Sequence, residues 1–194
     1  MSGALRRNAR LLRLPPRVAL FYFRARRAAA RHGDQWSLKS ATGPESLTAI
    51  LRLARGRRSV VEVGTGTAWT TAGLALADRR RTVLSFDPVV WPERERYLRI
   101  AGRDAASRIE LVEGGGEAGP AGRPIRPDMM FIDGSHEREL TVRTFEAWRT
   151  AFAPGAIVAF HDYENPLYPG VTEAIRELGL DGEVVRDVFV WRAP

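Results

Sequence analysis

Among its 194 residues the sequence has no cysteine, which excludes disulfides, thiolate-bound zinc, iron–sulfur clusters and a cysteine nucleophile. It has one lysine, Lys39, and none after its glycine-rich turn, so a triphosphate-binding loop is absent. No acid precedes Asp34, while residues 1–32 hold nine arginines. The formal charge of +7 is therefore local: residues 33–194 carry 21 basic against 23 acidic side chains. No apolar run in the basic segment exceeds the six residues Val18 to Phe23, too short for a membrane span or a signal-peptide core. Internal repeats and a linker between two cores are also lacking.

What is present is a chain rich enough in apolar residues (44%, with five Trp) to bury one core. The sequence divides into a basic amphipathic arm, residues 1–35, and a body, residues 36–194. In the arm, Pro15-Pro16 stops one helix and opens the next. The helix expected over Arg17–Arg31 places Leu20, Phe21, Phe23 and Ala28 on an apolar side, with Arg24, Arg26, Arg27 and Arg31 opposite. Its arginines are open to four readings: a solvated face of a packed helix, contact with nucleic acid, contact with an anionic membrane surface, or an Arg-rich transit peptide. A lid over the cleft is a further role for this segment.

The body alternates helical and strand patterns. Thr42-Gly-Pro-Glu45 has the form of a capping box opening a helix to about Arg55, closed by Gly56. Strands are expected at Ser59–Val63, Thr82–Phe86, Arg108–Val112, Asp128–Ile132 and Ala156–Phe160. Helices are expected at Trp69–Ala77, Pro92–Ala101, Arg138–Arg149 and Val171–Leu178, with a strand pair around Glu183–Arg192. Gly114–Pro127 reads as the one long loop. Uniformly apolar strands separated by helices indicate an α/β domain with a mainly parallel sheet covered on both faces. In such sheets ligands sit beyond the carboxyl ends of the strands, so strand-ending residues carry the function.

The first strand ends Val61-Glu62-Val63-Gly64-Thr65-Gly66-Thr67-Ala68-Trp69. Gly64 and Gly66 permit a sharp turn and close approach of backbone to ligand. Trp69 stands where a dinucleotide fingerprint needs its third glycine. The stretch resembles the first motif of class I S-adenosylmethionine-dependent methyltransferases, [D/E]-x-G-x-G-x-G: Glu62, Gly64 and Gly66 match, and Ala68 replaces the last glycine. The resemblance implies a Rossmann-like, doubly wound, seven-stranded sheet with a terminal antiparallel strand. It also implies S-adenosyl-L-methionine as cofactor, bound by Glu62, Gly64, Thr65 and Gly66. Asp87, ending the second strand, would accept from the ribose hydroxyls; its other reading is a turn residue before Pro88. Glu113 and Gly114 lie where the family contacts adenine.

Strand four ends Phe131-Ile132-Asp133-Gly134-Ser135-His136, and strand five ends Phe160-His161-Asp162-Tyr163. This pair is similar to the metal-dependent O-methyltransferases of the catechol and macrolide-sugar type. That similarity implies Asp133, His161 and Asp162 as ligands of Mg²⁺, with His161 standing where the family has a carboxylate. It gives His136 the role of general base, with Asp133 beside it at both the catalytic centre and the cofactor. The plainer readings are a helix cap for Asp133 and a hydrogen bond across strand ends for His161. Asn165-Pro-Leu-Tyr168 looks like an adenine-N6 methyltransferase motif but follows the wrong strand; it is read as a loop near the substrate mouth, with Tyr163 and Tyr168 as wall residues.

The expected function is methylation of a small-molecule hydroxyl in the cytoplasm. The alternatives are a nucleic-acid-associated methyltransferase or binding module using the arm, and an inactive cofactor-binding homologue. A homodimer is left open.

Overall fold

The computed structural model describes residues 13–194. Helix α1 (Pro16–Arg31) leads into a short helix α2 (Gln35–Ser40), then α3 (Pro44–Leu53), strand β1 (Ser59–Val63) and α4 (Trp69–Ala77). Strand β2 (Thr82–Asp87), α5 (Arg94–Ala101), α6 (Arg103–Ala106), β3 (Ile109–Glu113) and a 3₁₀ turn at Gly116–Ala118 follow. Then come β4 (Met129–Ile132), α7 (Arg138–Trp148), β5 (Ile157–Phe160), α8 (Pro169–Glu177), β6 (Gly182–Val185) and β7 (Val188–Arg192). One seven-stranded sheet has the order β3-β2-β1-β4-β5-β7-β6. Pairings from β3 through β5 are parallel, and β7 runs antiparallel to both its neighbours. This is the doubly wound, Rossmann-like sheet expected, with the order reversing between β1 and β4.

Alternation along the strands splits the core into two layers. Val60, Val83, Met129, Phe131 and Ile157 pack beneath α1, α3 and α4. Val61, Leu84, Phe86, Met130, Val158 and Phe160 pack against Phe145 and Trp148 of α7 and Ile175 of α8. Among the described residues no helix is long and apolar enough to cross a membrane.

Helix α1 is part of this core. Val18, Phe21, Tyr22, Ala25 and Ala29 are buried, and the Tyr22 ring meets Trp69 of α4 edge-on at 5.3 Å. Arg24, Arg26, Arg27 and Arg31 are exposed as expected, but the apolar side is rotated from its expected position: Leu20 and Phe23 are each 50% exposed. Three other local expectations are corrected. Thr42 does not cap α3, whose N-cap is Gly43 with no side-chain hydrogen bond; its hydroxyl instead accepts from Thr70 Oγ1 at 2.9 Å and faces Asp133. Helix α2 was not foreseen; Asp34 caps it by accepting from the Ser37 amide at 2.9 Å. The long loop contains the 3₁₀ turn, held by the Trp148 indole donating to the Gly116 carbonyl at 2.8 Å.

Candidate active site

The ends of β1, β2, β4 and β5 open into a cavity of about 650 Å³ at the point where the strand order reverses, the usual ligand position in such sheets. One end is built by the turn after β1. Gly64 and Gly66 have φ of +101° and +51°. A Cβ at Gly64 would stand 2.0 Å from the Asp133 carbonyl oxygen, and one at Gly66 would stand 3.2 Å from the Trp36 ring. The turn is thus cramped against β4 on one side and roofed by α2 on the other. Ala68, at φ +67°, occupies a left-handed position where glycine would be unstrained. Asp87 at the end of β2 is buried; its Oδ2 accepts from the Gly66 amide at 2.7 Å and its Oδ1 from the Val89 amide at 2.8 Å. Trp36 stacks on Trp91 with centroids 3.8 Å apart, and both rings line the cavity beside Asp87.

The other end gathers ionisable groups. His136 Nε2 lies 3.0 Å from Asp162 Oδ2 and 3.6 Å from Asp133 Oδ1. His161 Nδ1 lies 2.8 Å from Asp133 Oδ1 and 3.3 Å from Asp162 Oδ2, while its Nε2 faces Asp187 Oδ2 at 3.3 Å. Ser46 donates to the same Asp187 oxygen at 2.8 Å. The His136 ring stacks on Tyr168 at 4.2 Å. His136 and Asp162 both have positive φ, +59° and +56°, a conformation non-glycine residues adopt at a cost and which gathers at functional sites.

Burial would lower both imidazole pKa values, but the surrounding carboxylates overcome it. Asp133 and Asp162 raise His136 to about 9, and Asp133, Asp162 and Asp187 raise His161 to about 12. Burial pushes Asp133 and Asp162 up, and the two histidines outweigh it to hold both carboxyls below their ordinary range. Asp187 is lowered chiefly by the His161 imidazole 3.3 Å away.

The model of the Methyltransf_24 family, described as a methyltransferase domain, matches residues 61–163, which contain the glycine turn, Asp87, Asp133, His136, His161 and Asp162. The chain belongs to this methyltransferase family. It is an S-adenosylmethionine-dependent methyltransferase of class I. Its fold is similar to that of cofactor-bound Rv0187 from MTB (22% identity, 87% of this chain and 88% of that one, TM-score 0.68). It is similar as well to an O-methyltransferase from Bacillus cereus in complex with SAH (14% identity, 88% and 90%, TM-score 0.66). A third likeness is to CalS11, a TDP-rhamnose 3'-O-methyltransferase of calicheamicin biosynthesis (20% identity, 76% of each chain, TM-score 0.60). A search of curated proteins finds no match.

The methyltransferase brings most of the site residues read from sequence to one cavity: Gly64, Thr65, Gly66, Asp87, Asp133, His136, His161 and Asp162 all line it. Glu113 and Gly114 do not; Gly115, Gly116 and Glu117 line the wall there instead. Tyr168 lines the cavity, whereas Tyr163 packs on Phe189. The ligand atoms that converge for a metal belong to Asp133, His136 and Asp162, within 4.8 Å of one another; His161 is engaged with Asp187. Sequence reasoning missed Asp187, Ser46, Trp36 and Trp91.

Glu62 also lies off the cavity wall. It is fully buried under the glycine turn, where Ser85 Oγ donates to its Oε2 at 2.6 Å and Thr71 Oγ1 donates to the same atom. Burial outweighs these donors, the charges of Asp133 and Asp87 add to it, and the pKa rises from 4.5 to about 8. The folded protein therefore keeps a proton that the unfolded chain releases. The resulting stability is fully present below about pH 4.5 and is lost as pH rises through about 8. Glu62→Gln, neutral throughout, is expected to melt progressively above the wild type as pH rises from 5 to 8. Thermal denaturation at several pH values checks this, and a constant gap would refute it.

Proposed function

We propose that this methyltransferase methylates a hydroxyl oxygen of a small-molecule acceptor, with His136 as the general base. One observation carries the reading: His136 Nε2 is 3.0 Å from Asp162 Oδ2 in the same cavity that holds the glycine turn and Asp87. S-adenosylmethionine, when bound, supplies an electrophilic methyl group on a sulfonium. The turn at Gly64 and Gly66, which borders the cavity with little side-chain bulk, suits its amino-acid portion. Asp87 keeps lone pairs free for two ribose hydroxyls, since each of its oxygens accepts one backbone amide. Asp162 and Asp133 flank His136 on its Nε2 side at 3.0 and 3.6 Å, which leaves Nδ1 to take the acceptor's proton, and the ring stacks on Tyr168.

Calorimetry with S-adenosylhomocysteine, followed by assays on hydroxylated acceptors, tests the reading. Micromolar binding and methyl ether products are expected. Absence of binding at high micromolar ligand would overturn it.

A second reading rests on the converging atoms of Asp133, His136 and Asp162. Two carboxylates and an imidazole suit a divalent cation, which would acidify an acceptor hydroxyl bound to it. Turnover lost on adding EDTA and restored by Mg²⁺ supports that reading; turnover indifferent to EDTA removes it.

A further inference from the structure

Arg94, at the start of α5, is a buried charge that the mechanism above does not use. It is 5% exposed and stands behind the cavity-lining residues Gly66 and Asp87. Its guanidinium instead ties together three pieces of the donor site. Nε donates to the Gly66 carbonyl at 3.0 Å, Nη2 donates to the Val89 carbonyl at 2.8 Å, and Nη2 lies 3.4 Å from Asp87 Oδ2. Asp87 closes the ring by accepting from the amides of the same two residues, Gly66 and Val89. Each of these residues is therefore gripped twice, by its amide through Asp87 and by its carbonyl through Arg94.

Burying a guanidinium is costly, and an apolar side chain would pack α5 against the sheet without that cost. The flat fork of donors does what no apolar residue or lysine can: it reaches two carbonyls and a carboxylate at once. We propose that Arg94 is a positioning residue, which fixes the Asp87 carboxylate against the glycine turn and so sets how strongly the ribose hydroxyls of the methyl donor are recognised. The inference rests on the reading of Asp87 as the ribose anchor. Without Arg94, the carbonyls of Gly66 and Val89 lose their buried donor, and Asp87 is free to rotate away from the geometry that presents both oxygens to a diol.

The test compares S-adenosylhomocysteine with its 2',3'-dideoxy analogue, by calorimetry, on wild type, Arg94→Gln and Arg94→Lys. Wild type is expected to favour the parent ligand by about 100-fold. In Arg94→Gln, affinity for the parent should fall about 10- to 100-fold while affinity for the dideoxy analogue stays within about twofold, so the preference collapses. Arg94→Lys, which keeps the charge but not the fork, should lie between. In turnover assays the donor KM should rise by the same factor, with kcat at saturating donor changed less than the KM. Equal losses for both ligands would mean a structural role only, and an undiminished preference would mean no role; either overturns the proposal. Should Arg94→Gln lack a cooperative melt, Arg94→Lys decides by the same criterion. Wild type that binds both ligands equally would overturn the ribose assignment of Asp87 itself, and wild type that binds neither would overturn the donor site.

Discussion

His136→Ala is expected to lower kcat by about 10²- to 10⁴-fold, the usual contribution of a positioned general base, while affinity for S-adenosylhomocysteine changes little. The separation follows from the proposed roles: His136 stands among the side chains of Asp133, Asp162 and Tyr168, whereas Gly64, Gly66 and Asp87, the proposed donor contacts, lie on the turn after β1 and the end of β2. The same network fixes the pH dependence. The carboxylates raise His136 to about 9, so at neutral pH the imidazole is mostly protonated and only its neutral fraction accepts a proton. The value of kcat/KM should rise about tenfold per pH unit towards pH 9 and then level off. In His136→Ala that limb should disappear. Steady-state rates between pH 6 and 10 check both expectations, and a variant retaining full turnover would remove the base assignment.

The second large effect is expected at Gly64. An alanine there adds a methyl group 2.0 Å from the Asp133 carbonyl oxygen and 2.6 Å from its carbonyl carbon, at φ +101°. The obstacle is backbone of β4's end rather than a side chain that could swing aside, so the ends of β1 and β4 must separate. Gly64→Ala should cost about 2–4 kcal/mol of stability, from strain and overpacking together, and weaken S-adenosylhomocysteine binding more than 100-fold. Gly56 is the control, with φ +78° and nothing within 4 Å of an added Cβ. Gly56→Ala carries strain alone, about 1 kcal/mol, and should bind ligand as the wild type does. Denaturant titration and calorimetry on both variants measure the difference. Wild-type binding by Gly64→Ala would mean that the turn does not cradle the donor.

The parts of this site that could be read from sequence are those coded by neighbouring residues. A glycine turn directly after a Val-rich strand, an acid ending the next strand, and Asp-Gly-Ser-His and His-Asp after two more each announce their place locally. Asp187 gave no such signal. It reaches His161 only because β7 turns back along β5, with Phe189 opposite Phe160, and the sequence around Glu183–Arg192 promises a strand pair without its register. The facing of α1 was ambiguous for another reason. Every position from Val18 to Phe23 is apolar, so periodicity cannot choose the buried side. The buried side carries Val18, Tyr22, Ala25 and Ala29, with Val18 against Gly73 of α4 and Tyr22 against Trp69. Helix α2 has only six residues, too few to carry a period, yet its Asp34 cap places Trp36 over the glycine turn.

The backward run of β7 also bears on the order in which the site is made. The cavity-lining residues from Gly64 to Glu117 all precede β4 in sequence. His161, by contrast, faces a carboxylate that leaves the ribosome later than the imidazole does, in the turn between β6 and β7. A nascent chain halted after α8 would carry those residues, His136 and His161, but not the carboxylate facing His161 Nε2. The pairing of His161 with Asp187 is in this sense a late event of synthesis, completed in the turn that leads into the one strand running opposite to all the others.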